Sequence, residues 1–338
     1  MVSVLIPACD AAVTLATSLR SVARQTWRSF ECIVVDDGSR DDTAAIAAHF
    51  ARHDPRFLLV RQPHGGVVAA LNAGLLHCRG EYIARMDADD VMRRERLAAQ
   101  VALLEAQPEL AAVGCHVRLF PRASLGAGWR QYERWLNGIL TPEQLRRDAL
   151  VECPVAHPGL MLRRRVLAEL GYREMGWPED YDLVLRLLEI GAAIGIVPRR
   201  LLAWRSSSER ASRTDPRCAI DRFVACKADY LARTFLADRS GFGLWGYGST
   251  GRAIRRELRG HGKNATYVID VDRARIGNDL RWEKGSAPVP VLPPDSVDRL
   301  RTPPPLLVSV AGERPRNEIR DFLADRGWQE LRDFVCVA

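Results

Sequence analysis

Residues 31–39 read ECIVVDDGS: a short β-branched run, Ile33-Val34-Val35, that breaks off into two acids, a glycine and a serine. A run this short and apolar fits a buried parallel strand, and the turn residues mark its carboxyl end. Upstream, VSVLI (2–6) is a second such run, closed by Pro7, and residues 11–25 form a helix with Leu15, Leu19 and Val22 on one face. Downstream, Asp41-Asp42-Thr43 starts a helix that runs to about residue 51. FLLV (57–60) is a third strand and HGGVVAALNAGLLHC (64–78) a glycine-initiated helix. EYIARM (81–86) is a fourth strand, ending at Asp87-Ala88-Asp89-Asp90. This alternation predicts an α/β fold with a mainly parallel sheet and helices on both faces.

In such a sheet the chemistry belongs at the carboxyl ends of the strands. Two of the four strands end there in acids. A carboxylate is a poor packing residue, because burying its charge is costly without a partner. Two clusters at one edge therefore point to a shared cation or ligand.

Composition narrows the field. The chain has 338 residues, enough for about two domains. Its 47% apolar and 27% charged residues are those of an ordinary globular protein. No apolar run approaches the length of a membrane-spanning helix. MVSVLIPAC lacks the basic and long apolar regions of a secretion signal, so a cytoplasmic location is expected. The formal charge is +7, and all cations but Lys227, Lys263 and Lys284 are Arg. These Arg residues are scattered among acids rather than clustered with aromatics, which argues against nucleic acid. The eight Cys show no C-x-x-C pair and no clustering with His, so most are expected as reduced core residues and no zinc site is expected.

Further along, a helix is expected over 97–104 and a strand at AAVGCHV (111–117). Residues 121–150 show weak periodicity and read as a variable lobe. HPGLMLRR (157–164) reads as a strand, and Trp177-Pro178-Glu179-Asp180-Tyr181-Asp182 opens a helix. IGIVP (194–198) leads as a strand to Trp204-Arg205, and the polar stretch 206–216 reads as a flexible loop. An amphipathic helix over about 218–237 follows. At GFGLWGYGSTGRAIRREL (241–258) a strand runs into Gly246, Gly248 and Gly251 and then into a helix. The next strand carries Asp270. This strand–glycine loop–helix–strand–acid order is that of half a Rossmann fold. The expected organisation is therefore a first domain over 1–210, a helical linker over 211–240 and a small Rossmann-like domain over 241–338.

The ordered motifs VSVLIP, VVDDGSRDDT, ALNAGLLHCRGEYIARMDADD, AHPGLMLRR and WPEDYDL resemble glycosyltransferase family 2, with its GT-A fold. The resemblance implies an inverting, metal-dependent transfer of one sugar from a nucleotide-sugar, with UDP as the expected nucleotide, to a hydroxyl acceptor in polysaccharide or glycolipid assembly. It implies Mn²⁺ or Mg²⁺ held by Asp89, with Asp87 supporting the metal or ribose. Asp37 matches the position that accepts from the nucleotide base, and Pro7 and Trp177 line the donor or sugar site. Asp180 is implied as the base that takes the acceptor proton, with Asp182 as the next acid in line. Asp90 reads as a helix cap or supporting acid, and His157 and Arg205 fall in the same region by motif order. Cys9-Asp10 stands where the family carries an aromatic and Asn. The implied partners are a nucleotide-sugar donor and a saccharide or lipid-linked acceptor. No nucleic acid or transmembrane segment is expected, while peripheral association with the inner membrane face and oligomerisation stay open. The glycine loop with Asp270 is an anion or nucleotide site or simply a tight turn. A nucleotide-binding oxidoreductase or regulatory module centred there is the alternative reading.

Overall fold

In the computed structural model of the chain, residues 1–206, 215–282, 287–299 and 304–338 are described. The chain divides into two units. One comprises Met1–Arg146, Pro154–Met175 and Glu179–Thr214; the other takes Arg147–Cys153, Gly176–Pro178 and Asp215–Ala338. From residue 215 the expected linker thus groups with the second unit. The loop expected at 206–216 lies, apart from its ends, outside the described residues.

The first unit is built on an eight-stranded sheet in the order β3-β2-β1-β4-β7-β6-β8-β5. Its strands are β1 (Val2–Ala8), β2 (Phe30–Asp37), β3 (Phe57–Gln62), β4 (Tyr82–Arg85), β5 (Val91–Met92), β6 (Leu110–Phe120), β7 (Met161–Arg163) and β8 (Ala193–Arg205). β1 pairs in parallel with β2 and β4, so the carboxyl ends of all three open on one edge. Both faces of β1 are covered, which is why VSVLI is apolar without alternation. Helix α1 (Ala12–Ala23) lays Leu15, Leu19 and Val22 inward. Helices α2 (Thr43–His53), α3 (Gly66–Leu75) and α4 (Arg96–Ala106) complete the α/β pattern that the sequence predicts.

The β2–α2 loop is bound to the start of α1. Ser39 Oγ, Thr43 Oγ1 and Asp41 Oδ2 accept from the backbone N–H groups of Asp10, Ala11 and Ala12 at 3.0, 2.7 and 2.9 Å. These side chains satisfy donors that a helix start leaves open. Gly38 makes the turn at φ +69°, and a Cβ there would lie 2.6 Å from His64 N. Only glycine fits.

Two local expectations change. The variable lobe contains two helices, α5 (Ala127–Leu136) and α6 (Pro142–Asp148). In α5, Trp129, Tyr132 and Trp135 pack partly and Leu136 fully against the core while Arg130 and Arg134 face outward, an amphipathic pattern that the sequence reading missed. HPGLMLRR is a strand only at Met161–Arg163, and it runs antiparallel between β4 and β6. Pro158 has no N–H for a ladder, so His157–Gly159 forms a 3-10 turn instead. α7 (Arg164–Leu170) and α8 (Glu179–Glu189) follow.

The second unit carries a six-stranded sheet in the order β11-β12-β10-β9-β13-β14. Here β9 is Gly241–Trp245, β10 Asn264–Ile269, β11 Asp279–Leu280, β12 Val289–Leu292, β13 Leu306–Val308 and β14 Phe334–Cys336. The β9–β10, β9–β13, β10–β12 and β13–β14 pairs are parallel, as a Rossmann-like domain requires. The sequence reading missed β12, whose run VPVL is short and interrupted by proline. The segment 147–153 is tied into this unit. Asp148 accepts from Arg320 at 2.6 Å, and Lys227 Nζ donates to the carbonyls of Val151 and Val337. Among the described residues no helix is long and apolar enough to cross a membrane.

Candidate active site

The acids after β4 are fixed from three sides. Arg85, the last residue of the strand, is buried and ion-pairs with Asp87. Burial opposes the Arg85 charge, but Asp87 outweighs it and raises the pKa. Behind it, the fully buried Arg96 donates from Nη2 to the Arg85 carbonyl at 2.9 Å. On the far side, Asp90 is wholly buried and its Oδ1 accepts from Arg205 N at 2.7 Å, while Arg205 Nε donates to the Asp89 carbonyl at 2.8 Å. Asp90 therefore anchors the end of β8 rather than capping α4, whose cap position is Glu95. Asp87, Asp89 and Asp90 each bring one carboxylate oxygen within 4.8 Å of the others. Hard oxygen donors in this grouping suit Mg²⁺ or Mn²⁺.

The acids after β2 form a separate group, with β1 between the two strands. Asp37 Oδ1 accepts from Gln62 Nε2 at 2.6 Å and from Gly65 N at 2.8 Å, and Oδ2 accepts from Gly66 N at 2.8 Å. Asp37 thus orders the loop that starts α3, and the two acidic clusters do not converge on one ion. Pro7 lies partly buried near the end of β1, and Cys9 is exposed just beyond it.

The third element is α8. Glu179, Asp180 and Asp182 occupy its first turn, where the helix dipole favours negative charge. Asp180 is partly exposed and its Oδ1 accepts from Tyr181 N at 2.7 Å. Asp182 is buried and held by Arg173 at 2.6 Å and Arg186 at 2.7 Å. That double bridge makes Asp182 a framework residue and removes it as a reserve base. His157 is buried, with Nε2 3.1 Å from the Tyr172 hydroxyl. Burial first, and then the Arg85 charge, push its pKa well below the ordinary imidazole range. Tyr172 is in turn clamped by Asn72, which bonds both its N–H and its C=O at 3.0 and 2.9 Å. Trp177 belongs to the second unit.

Sequence reasoning missed Arg85, Arg96, Asn72 and Tyr172. A signal for Arg85 existed: an arginine inside an apolar strand two residues before an acid needs a charged partner.

Residues 3–171 match Glycosyl transferase family 2. The chain belongs to this family. It is 31% identical over 229 residues to EpsE of Bacillus subtilis (strain 168), a match covering 66% of this chain and 79% of EpsE. It is 28% identical over 201 residues to the amylovoran biosynthesis glycosyltransferase AmsE of Erwinia amylovora, covering 59% and 73%. Among solved structures, S. aureus TarS 1–349 in complex with UDP-GlcNAc aligns with TM-score 0.57 at 16% identity, over 77% of this chain and 72% of that one. The mannosyltransferase PcManGT from Pyrobaculum calidifontis, in complex with GDP-Man and Mn²⁺, aligns with TM-score 0.52 at 20% identity, over 77% and 68%. These two likenesses establish the GT-A fold, and the family-2 glycosyltransferase is an enzyme.

In the second unit the glycine loop has two fold-imposed positions and one open one. Gly246 turns at φ +87°, and a Cβ on Gly251 would lie 2.4 Å from Gly246 O. Nothing lies within 4 Å of a Cβ placed on Gly248, at the start of the helix Ser249–Gly260. Asp270 pairs with Arg275 at 3.0 Å and accepts from Asp272 N.

Proposed function

We propose that this family-2 enzyme is an inverting, metal-dependent transferase that moves one sugar from a nucleotide-sugar, a UDP-sugar first among them, to a hydroxyl on a saccharide or lipid-linked acceptor. The observation that carries this reading is the grouping of Asp87, Asp89 and Asp90 at the carboxyl end of β4, braced by Arg85 and Arg205. When bound, the cation supplies counter-charge to the departing diphosphate. Asp89 would hold it, with Asp87 oriented by Arg85 beside it. Asp37 and Pro7 would border the nucleotide at the carboxyl ends of β2 and β1. Asp180, partly exposed at the start of α8, would take the acceptor proton while the sugar's anomeric carbon is attacked. Trp177 would offer an apolar face to the sugar. The enzyme would work in the cytoplasm, at the inner membrane face, in polysaccharide assembly, in keeping with the biosynthetic role in AmsE's name.

The Gly246–Gly251 loop would take an anion at the helix start, because Gly248 leaves that approach clear. The test of the main reading is donor hydrolysis and transfer by the full chain against a panel of nucleotide-sugars, with Mn²⁺ and with a chelator. Turnover of one donor only in metal supports it; metal-independent turnover refutes the metal role.

A further inference from the structure

Cys9, His64 and Asp37 come from three different chain segments, with His64 55 residues from Cys9 and 27 from Asp37, and meet at the carboxyl edge of β1 and β2. Cys9 Sγ lies 3.8 Å from His64 Nδ1, and His64 Nδ1 lies 3.0 Å from Asp37 Oδ2. All three ligand atoms are within 4.8 Å of one another. Tetrahedral zinc, with bonds near 2.3 Å to sulfur and 2.0–2.2 Å to nitrogen or oxygen, separates its ligands by about 3.4–3.6 Å. The two separations from His64 Nδ1, 3.8 and 3.0 Å, sit within about half an ångström of that.

The hydrogen bonding leaves room for an ion. Asp37 Oδ1 has two donors, Gln62 Nε2 and Gly65 N, and is saturated. Oδ2 has one backbone donor, Gly66 N, and turns its other side to His64 Nδ1. Cys9 is the one exposed cysteine among the described residues, and the His64 side chain is 68% exposed, so an ion can enter and keep a water. Burial and the negative charges of Asp10, Asp37, Asp36 and Asp41 push the Cys9 thiol pKa up. The same field that retains a proton favours a dication in its place.

We propose that Cys9, His64 and Asp37 form a three-ligand site for a borderline-soft divalent cation of the zinc class, distinct from the oxygen cluster at Asp87–Asp90. On binding, the Cys9 S–H bond gives way to a metal–sulfur bond and the proton leaves to solvent. His64 Nδ1, which lies 3.1 Å from the Asp37 carbonyl and 3.0 Å from Oδ2, gives up its hydrogen there and coordinates as the neutral tautomer with the ring hydrogen on Nε2. Thiolate and imidazole select zinc over magnesium or manganese.

The full chain, stripped with a chelator, is titrated with Co²⁺ and followed by the near-ultraviolet thiolate-to-cobalt charge-transfer band. One equivalent should raise the band and zinc should bleach it. Cys9→Ser should abolish the band, His64→Ala should weaken binding at least tenfold, and Asp89→Ala should leave the band in place. Circular dichroism confirms folding of each variant. No band with excess Co²⁺, or the same band in Cys9→Ser, overturns the proposal. The readout needs no donor, so it stands apart from the test of transfer.

Discussion

Arg85→Met removes the guanidinium that ion-pairs with Asp87 while keeping a side chain of similar length. The Arg85 side chain is 5% exposed and that of Asp87 25% exposed. Removing one partner of a buried ion pair costs about 3 to 5 kcal/mol, because the other charge stays behind. Asp87 is open enough to regain some water, which places the cost near the lower bound, about 3 kcal/mol. For a unit of this size each kcal/mol lowers Tm by about 2–4 °C, so the unfolding midpoint should fall by about 6–12 °C. Differential scanning calorimetry of the full chain reads this out. A double variant, Arg85→Met with Asp87→Leu, replaces the pair by apolar groups and should regain most of the lost stability. A single variant within about 1 kcal/mol of the parent would refute the claim that this pair braces the strand end.

Asp180→Asn should keep donor affinity within a few fold and lower transfer by about 10²–10⁴, the range for a lost general base; saturating kinetics with acceptor check both. His157 is held neutral with a depressed pKa, so below about pH 6.5 the unfolded chain takes up a proton that the folded chain refuses. Stability should therefore fall on acidification at up to about 1.4 kcal/mol per pH unit until the folded pKa is reached, and denaturant titrations of a His157→Asn variant should show a shallower slope. A chain ending at residue 238 loses Arg320, the partner of Asp148, and the carbonyl of Val337 that holds Lys227. It should be less stable and less soluble than the full chain, as thermal melts and sedimentation would show.

The strands and helices that carry the acids were legible because each is a short apolar run closed by turn residues or acids, as in ECIVVDDGS and EYIARMDADD. Such signals are local. What the sequence hid is non-local or compensated. Helix α5 builds its apolar face from aromatics inside a Gly- and Arg-containing stretch, and the β7 region is cut short by Pro158. The Asn72 clamp on Tyr172 joins residues 100 positions apart, and nothing in either neighbourhood announces it. Cys9 and His64 looked unrelated because linear spacing says nothing about two loops that share a sheet edge. Asp182 and Asp180 are alike in sequence, both first-turn acids of one helix. The positions of Arg173 and Arg186, not the sequence, mark Asp182 as framework. Arg147–Cys153 joins the second unit through partners more than 70 residues away.

The central claim is that the Asp87–Asp90 cluster binds the donor's diphosphate through a divalent cation. Isothermal titration of UDP and GDP into the full chain, with Mn²⁺ and with a chelator, tests it most directly, with Asp89→Ala as the paired variant. At least one of the two nucleotides should bind the parent tenfold or more tightly with Mn²⁺, about 1.4 kcal/mol, and Asp89→Ala should lose that gain. Equal affinity with and without the metal, or an undiminished gain in Asp89→Ala, would contradict the claim.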